Sequence, residues 1–477
     1  MKKIVLLLFV STILVSCSND FIDLLPKSTV SIDILYKTDK DFQDAVIGGY
    51  SVLQNQYQNM WIFGDVRGDD SETQIIKSDA WSYSDLFIMT STDGTLNSTW
   101  RNYYSLIYRV NMVLNHIENT DPAVVTNKAR HIAEAKFLRA LAYFDLVRIF
   151  GDVPLVIKQL SAPEALLTPR EKVDVIYDLI ISDLMDAEQN LPNSYTGANI
   201  GRVTRGAAKT ILGKVYLTRH DFVKAESKLQ EVTNMGYSLV PVYNNLFDPA
   251  NKRNSEYIFD IEYASGNNIS NIFTNRFLPN QAAFQTFYGV KGIGGEANSP
   301  TEELRHLFED HDKRKDITVG VYGGWTGKDG EFIPITASTS MGYTKKYLYP
   351  IPASDDSPCN WHVTRYGDVV LMYAEALNEN GKTNEALTWL NMIRTRAGVS
   401  TYSGLTQSET REAIYTERRF ELSFEGHRWF DLVRYGRAYE KMAPKGMKPY
   451  MTVFPIPWSQ IQVVNNKSIL WQNEGYS

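Results

Sequence analysis

The sequence is short of several residue types, and each shortage excludes a class of protein. It has two cysteines, Cys17 and Cys359, so at most one disulfide can form and a disulfide-stapled scaffold is excluded. Positive charge is not in excess, because 49 Lys and Arg stand against 55 Asp and Glu, giving a net charge of −6. Since binding to a phosphate backbone requires a basic surface, we expect no nucleic-acid partner.

Catalytic signatures are missing as well. The seven histidines form no His-Glu-x-x-His pair, and the five-residue spacing of His306 and His311 does not suit a shared metal on one helix face. There is no Gly-x-Ser-x-Gly elbow or phosphate loop. The glycine-rich run from Gly289 to Gly295 neither follows a predicted strand nor opens a helix. We therefore predict that the protein is not an enzyme and has no cofactor or metal site; structural calcium is left open and is not predicted.

Long hydrophobic runs are confined to the N-terminus. Lys2 and Lys3 precede twelve apolar or small residues at positions 4–15, which predicts a secretory signal over residues 1–16 that is too short to span a bilayer. The signal ends in Leu14-Val15-Ser16-Cys17, which resembles a bacterial lipobox. Cys17 is therefore the expected lipidation site, and the alternative is a free or buried cysteine after an ordinary signal. Cys359 is then left as a lone thiol, which we interpret as structural.

Helical periodicity dominates two blocks of the chain. Apolar residues recur every three or four positions over 170–191, which predicts an amphipathic helix. Segment 126–150 is apolar on nearly every face and precedes Gly151, which predicts a central helix with a glycine C-cap. We place the scaffold at about 40–236 and 360–440, within a single domain over 40–477 that follows a tether over 17–39. Two loop-rich insertions, at about 59–96 and 237–360, lack the helical period and carry short strands.

Two helix pairs within this scaffold share a spacing of small residues. Gly213 and Ala225 are twelve residues apart, as are Ala374 and Ala386, and each pair lies on two successive predicted helices. This spacing is similar to the tetratricopeptide repeat, in which small residues let paired helices approach closely. The alternative is that the small residues coincide in two ordinary helical hairpins.

Aromatic residues are abundant, with 9 Trp, 28 Tyr and 21 Phe. A flat ring in a loop suits a pyranose, because the apolar face of the sugar packs on the ring while its hydroxyls bond to nearby polar side chains. Such rings could equally pin the loops to the scaffold. The four tryptophans that fall in irregular segments are Trp61, Trp81, Trp325 and Trp361. The candidate ligand groups are Trp61, the set Arg67, Asp69, Asp70 and Trp81, the pair Tyr322 and Trp325, and the pair Phe287 and Tyr288.

Four long segments resemble one known family, the SusD/RagB outer-membrane lipoproteins of Bacteroidetes. The segments are EAKFLRALAYFDLVRIFGDVPL (134–155), RYGDVVLMYAEALN with the following 391–398, ELSFEGHRWFD (421–431), and FPIP (454–457) with QNEGY (472–476). The resemblance implies a mainly α fold, a superhelix of tetratricopeptide-like helix pairs with a loop-rich, partly β ligand-binding face. It also implies a lipid-anchored protein at the outer membrane, exposed at the cell surface.

The resemblance further implies a function. Family members bind glycan or another nutrient and act as a lid on a SusC-like TonB-dependent transporter, without catalysis. Their ligands lie in variable loops that correspond here to about 61–85 and 270–345, and Trp81 and the pair Asp69-Asp70 fall where the family often keeps a stacking Trp and a hydrogen-bonding Asp. The motif residue His427 is interpreted as a buried, hydrogen-bonding histidine.

Three other functions remain open from the sequence. The protein could bind peptide instead of glycan, or serve as a purely structural lid. It could also be a surface glycosidase, for which Asp65, Asp69, Asp70 and Glu72 would supply carboxylates.

Overall fold

Helices form where the sequence repeats apolar residues at helical spacing, and they make up most of the structure. The computed structural model describes residues 35–73, 79–266, 269–321, 325–326, 332–333 and 342–477. The predicted signal, Cys17 and most of the predicted tether lie outside the described residues. Within the described ranges no helix is long and apolar enough to cross a membrane.

The helices fall into two long-helix blocks separated by shorter elements. The first block contains α1 (Asp39–Tyr57), α2 (Met60–Gly64), α3 (Ala80–Asp85), α4 (Gly94–Ile117), α5 (Lys128–Phe150), α6 (Ala162–Leu166), α7 (Val173–Asn190), α8 (Arg205–Thr218) and α9 (Phe222–Thr233). Then follow α10 (Phe273–Phe277), α11 (Ala282–Tyr288), α12 (Glu302–Leu307) and α13 (Lys315–Thr318). The second block contains α14 (Tyr366–Glu379), α15 (Thr383–Ala397), α16 (Gln407–Leu422), α17 (Arg428–Arg434), α18 (Ala438–Met442) and α19 (Trp458–Val464).

The long helices stack as successive pairs. Helix α1 packs on α4, α5 on α7, α8 on α9 and α14 on α15, and each pair also contacts the next one along the chain. Helix α5 lies between α4 and α7, which explains why it is apolar on nearly every face. Its predicted C-cap is confirmed, because Gly151 has φ +72° and its N–H donates to the carbonyl of Val147 at 3.0 Å. The mainly α, tetratricopeptide-like superhelix expected from the sequence is therefore confirmed.

The twelve-residue spacing of small residues marks the helix contacts. In the α8–α9 pair a Cβ added to Gly213 would lie 2.7 Å from Cδ2 of Leu229, so the two helices could not pack as closely with a larger residue. Ala225, Ala374 and Ala386 are likewise fully buried. The small residues are thus needed where the paired helices touch.

Strands are short and paired in twos. They are β1 (Ser71–Glu72), β2 (Val153–Pro154), β3 (Arg170–Glu171), β4 (Tyr257–Ile261), β5 (Ser299–Pro300), β6 (Gly320–Val321), β7 (Trp325–Thr326), β8 (Phe332–Ile333), β9 (Gly342–Tyr343) and β10 (Trp361–Arg365). The antiparallel pairs are β1–β5, β2–β3, β4–β10, β6–β9 and β7–β8. Because β1 pairs with β5, the first loop-rich segment is bonded directly to the middle one.

The irregular segments contain more regular structure than the sequence predicts. Segment 59–96 holds α2 and α3, and segment 237–360 holds α10 to α13. These helices are four to seven residues long, too short to show a helical period in the sequence. The C-terminal stretch lies along the scaffold, where the N–H of Phe454 donates to the carbonyl of Ile149 at 2.7 Å.

Candidate functional site

Trp61 lies in the core, so its interpretation as a ligand-stacking ring is wrong. Its side chain is 1% exposed and its indole N–H donates to the carbonyl of Gln58 at 2.8 Å. The ring meets Phe277 edge-on, with centroids 5.2 Å apart. Helix α2 thus uses its tryptophan to hold α10 from the middle segment.

Trp81 is the tryptophan of the first loop-rich segment that keeps exposed surface. Helix α3 begins at the N-cap Asp79, whose side chain accepts from the N–H of Ser82 at 3.0 Å, and this fixes the helical turn that carries Trp81. The Trp81 ring is partly exposed and its centroid is 5.8 Å from that of Trp61. Packing against Trp61 holds the Trp81 ring in place and leaves part of its surface accessible to solvent.

Arg276 of α10 completes this group. Its guanidinium carbon lies 5.5 Å from the Trp81 ring centroid, a cation–π distance. We call Trp81 and Arg276, with Trp61 and Phe277 behind them, the Trp81 site. The site is formed where the two predicted loop-rich segments meet.

The glycine-rich run fixes the position of Arg276. The N–H of Gly295 donates to the carbonyl of Asn275 at 2.7 Å, and the N–H of Ala297 donates to that of Arg276 at 2.9 Å. A Cβ on Gly295 would lie 2.7 Å from the Arg276 carbonyl oxygen, and one on Gly294 would lie 2.4 Å from that of Leu278. These glycines are therefore required for close backbone approach beside α10.

Arg67 is buried and belongs to the core, which corrects its assignment to the ligand group. Its guanidinium lies 4.1 Å from the ring of Phe454 and 4.3 Å from that of Phe87. It donates to the carbonyl of Met451 at 3.1 Å. Burial lowers the pKa of Arg67 to about 10. A side chain that is 1% exposed offers a ligand no surface.

Asp69 and Asp70 are also buried, so their assignment as ligand-binding acids is wrong. Arg428 donates to both oxygens of Asp69 at 2.6 and 2.8 Å, and Arg419 donates to Asp70 at 2.7 Å. Burial favours the neutral form of Asp69, but the hydrogen bonds and charge of Arg428, with the charge of Arg419, outweigh it and lower the pKa to about 2. These pairs tie the first loop-rich segment to residues 419–428, which overlap the ELSFEGHRWFD segment (421–431). The sequence could not reveal this, because the partners are about 350 residues away.

Asp65 does not supply an accessible acid either. Its oxygens accept from the N–H of Gly426 at 2.8 Å and from the amide of Asn298 at 3.4 Å. Burial raises its pKa to about 8, the direction a general acid requires, but the residue is only 2% exposed. The carboxyl of Asp65 thus holds the backbone around Gly426.

Phe287 and Tyr288 belong to a second aromatic group. Both are partly exposed and belong to α11, where their rings meet edge-on with centroids 5.2 Å apart. The Tyr288 hydroxyl is 2.8 Å from that of Tyr343, and the ring packs in a small cluster with Leu278. Because Leu278 directly follows α10, this cluster adjoins the chain segment that carries Arg276.

The remaining candidates are described only in part. Tyr322 lies outside the described residues. The backbone of Trp325 pairs with that of Ile333 in the β7–β8 hairpin, but the position of its side chain is not described. Trp361 is buried in β10 and stacks on Tyr347 at 5.5 Å, so it packs in the core.

His427 departs from its sequence interpretation. In the described part of the chain its ring has no hydrogen-bond partner, although we predicted one. It lines a cavity of about 260 Å³ together with Lys214 and Arg418. Burial, followed by the charge of Lys214, lowers its pKa to about 3, so the imidazole is neutral at physiological pH.

Sequence reasoning missed Arg276. A usable signal was present, because Arg276 lies between Phe273 and Phe277 in an aromatic-rich run without helical period.

The described residues contain no group of three or more His, Cys, Asp or Glu side chains arranged to hold a metal ion.

The fold and the Trp81 site define a helical-repeat protein that carries an aromatic, partly exposed face built by inserted loops. Two family models match the chain: one described as the SusD family matches residues 251–476, and one described as "Starch-binding associating with outer membrane" matches residues 20–217. The chain belongs to the SusD/RagB family, as its motifs predicted.

Individual relatives match along most of their length. SusD-like protein P25 of Formosa agariphila is 26% identical, with 97% of each chain covered. The starch-binding protein SusD of Bacteroides thetaiotaomicron is 23% identical over 78% of each chain. Among solved structures, a laminarin-binding SusD-like protein superposes with a TM-score of 0.79 at 28% identity, covering 92% of this chain and 100% of that one.

Proposed function

We propose that the protein captures a glycan at the cell surface and delivers it, without cleaving it, to a SusC-like TonB-dependent transporter. It is anchored in the outer membrane through a lipid on Cys17, after removal of residues 1–16, and residues 40–477 act as one domain. Membership of a glycan-binding family supports the ligand class, as does the laminarin-binding relative.

The partial exposure of Trp81 is the observation that carries this proposal. The ring is held by Trp61 and partly open to solvent at the junction of two loop-rich segments. A sugar ring stacked on it would exclude water from the contact between the apolar surface of the sugar and the indole. The guanidinium of Arg276 could then donate to sugar oxygens. Asp65, Asp69 and Asp70 are buried without access to a glycosidic bond, so of the four candidate carboxylates only Glu72 is partly exposed. Because glycosidases use two carboxylates, this supports binding without catalysis.

Replacing Trp81 tests the proposal directly. We expect Trp81→Ala to weaken binding of the recognised glycan at least about tenfold, since stacking removes several tens of Å² of apolar surface from water. Binding is measured by calorimetry and affinity electrophoresis over a panel of soluble polysaccharides. Trp458→Ala is the matched control, because Trp458 is also a partly exposed tryptophan (41%) but belongs to α19.

The outcomes separate the candidate functions. Loss of binding in the Trp81 variant alone supports the proposal, whereas equal binding by both variants and the parent chain contradicts the assigned site. A peptide library that yields ligands where the glycan panel yields none would favour a peptide-binding protein. Release of reducing sugars by the purified chain would establish a glycosidase.

A further inference from the structure

Arg276 differs from arginines such as Arg314 and Arg419 in having no anionic partner among the described residues. Arg314, in the same middle segment, is held by Asp312 at 2.7 Å and Glu417 at 2.6 Å, and Arg419 is held by Asp70 at 2.7 Å. The side chain of Arg276 makes no hydrogen bond or ion pair with any described residue. Its guanidinium lies over the ring of Trp81 instead.

One atom of Arg276 is both buried and unpaired. The Nε atom is shielded from solvent and has no acceptor within the described ranges, although the residue as a whole is only partly buried. A buried donor without an acceptor costs free energy, and buried cations are normally paired. The guanidinium therefore lacks an acceptor, and part of the side chain faces solvent beside Trp81.

We propose that the glycan bound at the Trp81 site is acidic, and that its carboxylate or sulfate ester pairs with Arg276. This rests on the proposed function, since it concerns the same site. A guanidinium presents parallel N–H donors that match two oxygens of a carboxylate or sulfate, and such charge-assisted pairs are stronger than bonds to neutral hydroxyls. A sugar stacked on Trp81 would carry its acidic substituent within reach of the neighbouring Arg276.

The net charge of the chain does not oppose this pairing at contact distance. The overall −6 repels an anion at long range, but that field is screened over about 10 Å at 0.1 M salt. At the site, the positive charge of Arg276 attracts the anionic group of the ligand, because no described carboxylate forms an ion pair with Arg276. We accordingly expect the ion pair to weaken as salt is raised, while stacking on Trp81 persists.

The test compares charged glycans with neutral counterparts of the same backbone. The probes are oligogalacturonates with their methyl esters, for the carboxylate arm, and sulfated galactans with their desulfated forms, for the sulfate arm. Calorimetry on the full chain measures each affinity for the parent, Arg276→Gln and Arg276→Lys. The matched control is Arg101→Gln, because Arg101 is an exposed arginine of α4 that also forms no ion pair with a described residue.

We expect Arg276→Gln to reduce affinity for one charged probe about tenfold and to change affinity for its neutral form less than about twofold. Arg276→Lys should retain part of the affinity, and Arg101→Gln all of it. The melting temperature should fall only slightly in Arg276→Gln, because the side chain loses its cation–π contact with Trp81 but no ion pair.

Each outcome decides between the two proposals. If Arg276→Gln loses affinity for a charged glycan but not for its neutral form, the result supports an acidic ligand. Neutral glycans that bind through Trp81 as tightly as charged ones, with no effect of Arg276→Gln, overturn the acidic class and leave the proposed function standing. If no probe or neutral polysaccharide binds in a Trp81-dependent way, both proposals fail.

Discussion

Glu421 lies at the centre of a buried ion network, and neutralising it should destabilise the protein strongly. Its carboxylate accepts from Arg396 at 2.5 Å, Arg365 at 2.6 Å and Arg314 at 3.2 Å, and all four side chains are almost fully buried. Glu421→Gln keeps the shape of the side chain but removes the negative charge that three guanidinium groups contact. Breaking a buried pair from one side costs about 3–5 kcal/mol of the free energy of unfolding.

The pKa of Glu421 makes the cost of this substitution depend on pH. Burial alone would raise this pKa, but the charges of Arg396, Arg365 and Arg314 outweigh burial and lower it from 4.5 to about 2. Because the folded-state pKa is depressed, this stabilisation is complete above pH about 4.5 and is lost as the pH falls towards 2.

The assay is urea unfolding followed by tryptophan fluorescence at pH 7 and at pH 3. Glu412→Gln is the matched control on the same helix, α16, because Glu412 pairs with Arg437 at the exposed surface and should cost less than about 1 kcal/mol. The difference in the free energy of unfolding between the parent and Glu421→Gln should be smaller at pH 3 than at pH 7. An equal cost for the two variants, or a gap that does not change with pH, would refute the reasoning.

Two further predictions concern close packing. Gly64→Ala should lower the free energy of unfolding by about 1–3 kcal/mol or more, because its Cβ would lie 2.3 Å from the Gly426 carbonyl oxygen; Gly94→Ala, with nothing within 4 Å, is the control in the same denaturation assay and should not destabilise. Cys359 should resist a thiol reagent in the folded Cys17→Ser variant and react on unfolding, because burial raises its pKa to about 11. Labelling of the folded protein at the unfolded rate would contradict this.

The sequence was most informative about the scaffold and least informative about the loop-rich segments. Helical period and the glycine after residue 150 predicted α5 and its end, since these signals depend on neighbours within a few residues. The helices of four to seven residues in the loop-rich segments escaped prediction because they are shorter than the window in which a period can be recognised.

Among the candidate site residues, the sequence could not distinguish those that are buried from those that are exposed. Trp61 and Trp81 look alike in the sequence, yet Trp61 is 1% exposed whereas Trp81 is partly exposed. Arg67 and the pair Asp69-Asp70 have the chemistry of a sugar site, but partners far along the chain enclose them.

The sequence alone determined the family, the mainly helical fold and the small residues at which paired helices touch, because these follow from local spacing and long motifs. Only the tertiary structure decided which aromatic and charged side chains are enclosed and which face solvent. Burial and pairing depend on residues hundreds of positions apart, such as Arg428 beside Asp69. Contacts between distant segments likewise place Arg276 beside Trp81, where its guanidinium has no described anionic partner.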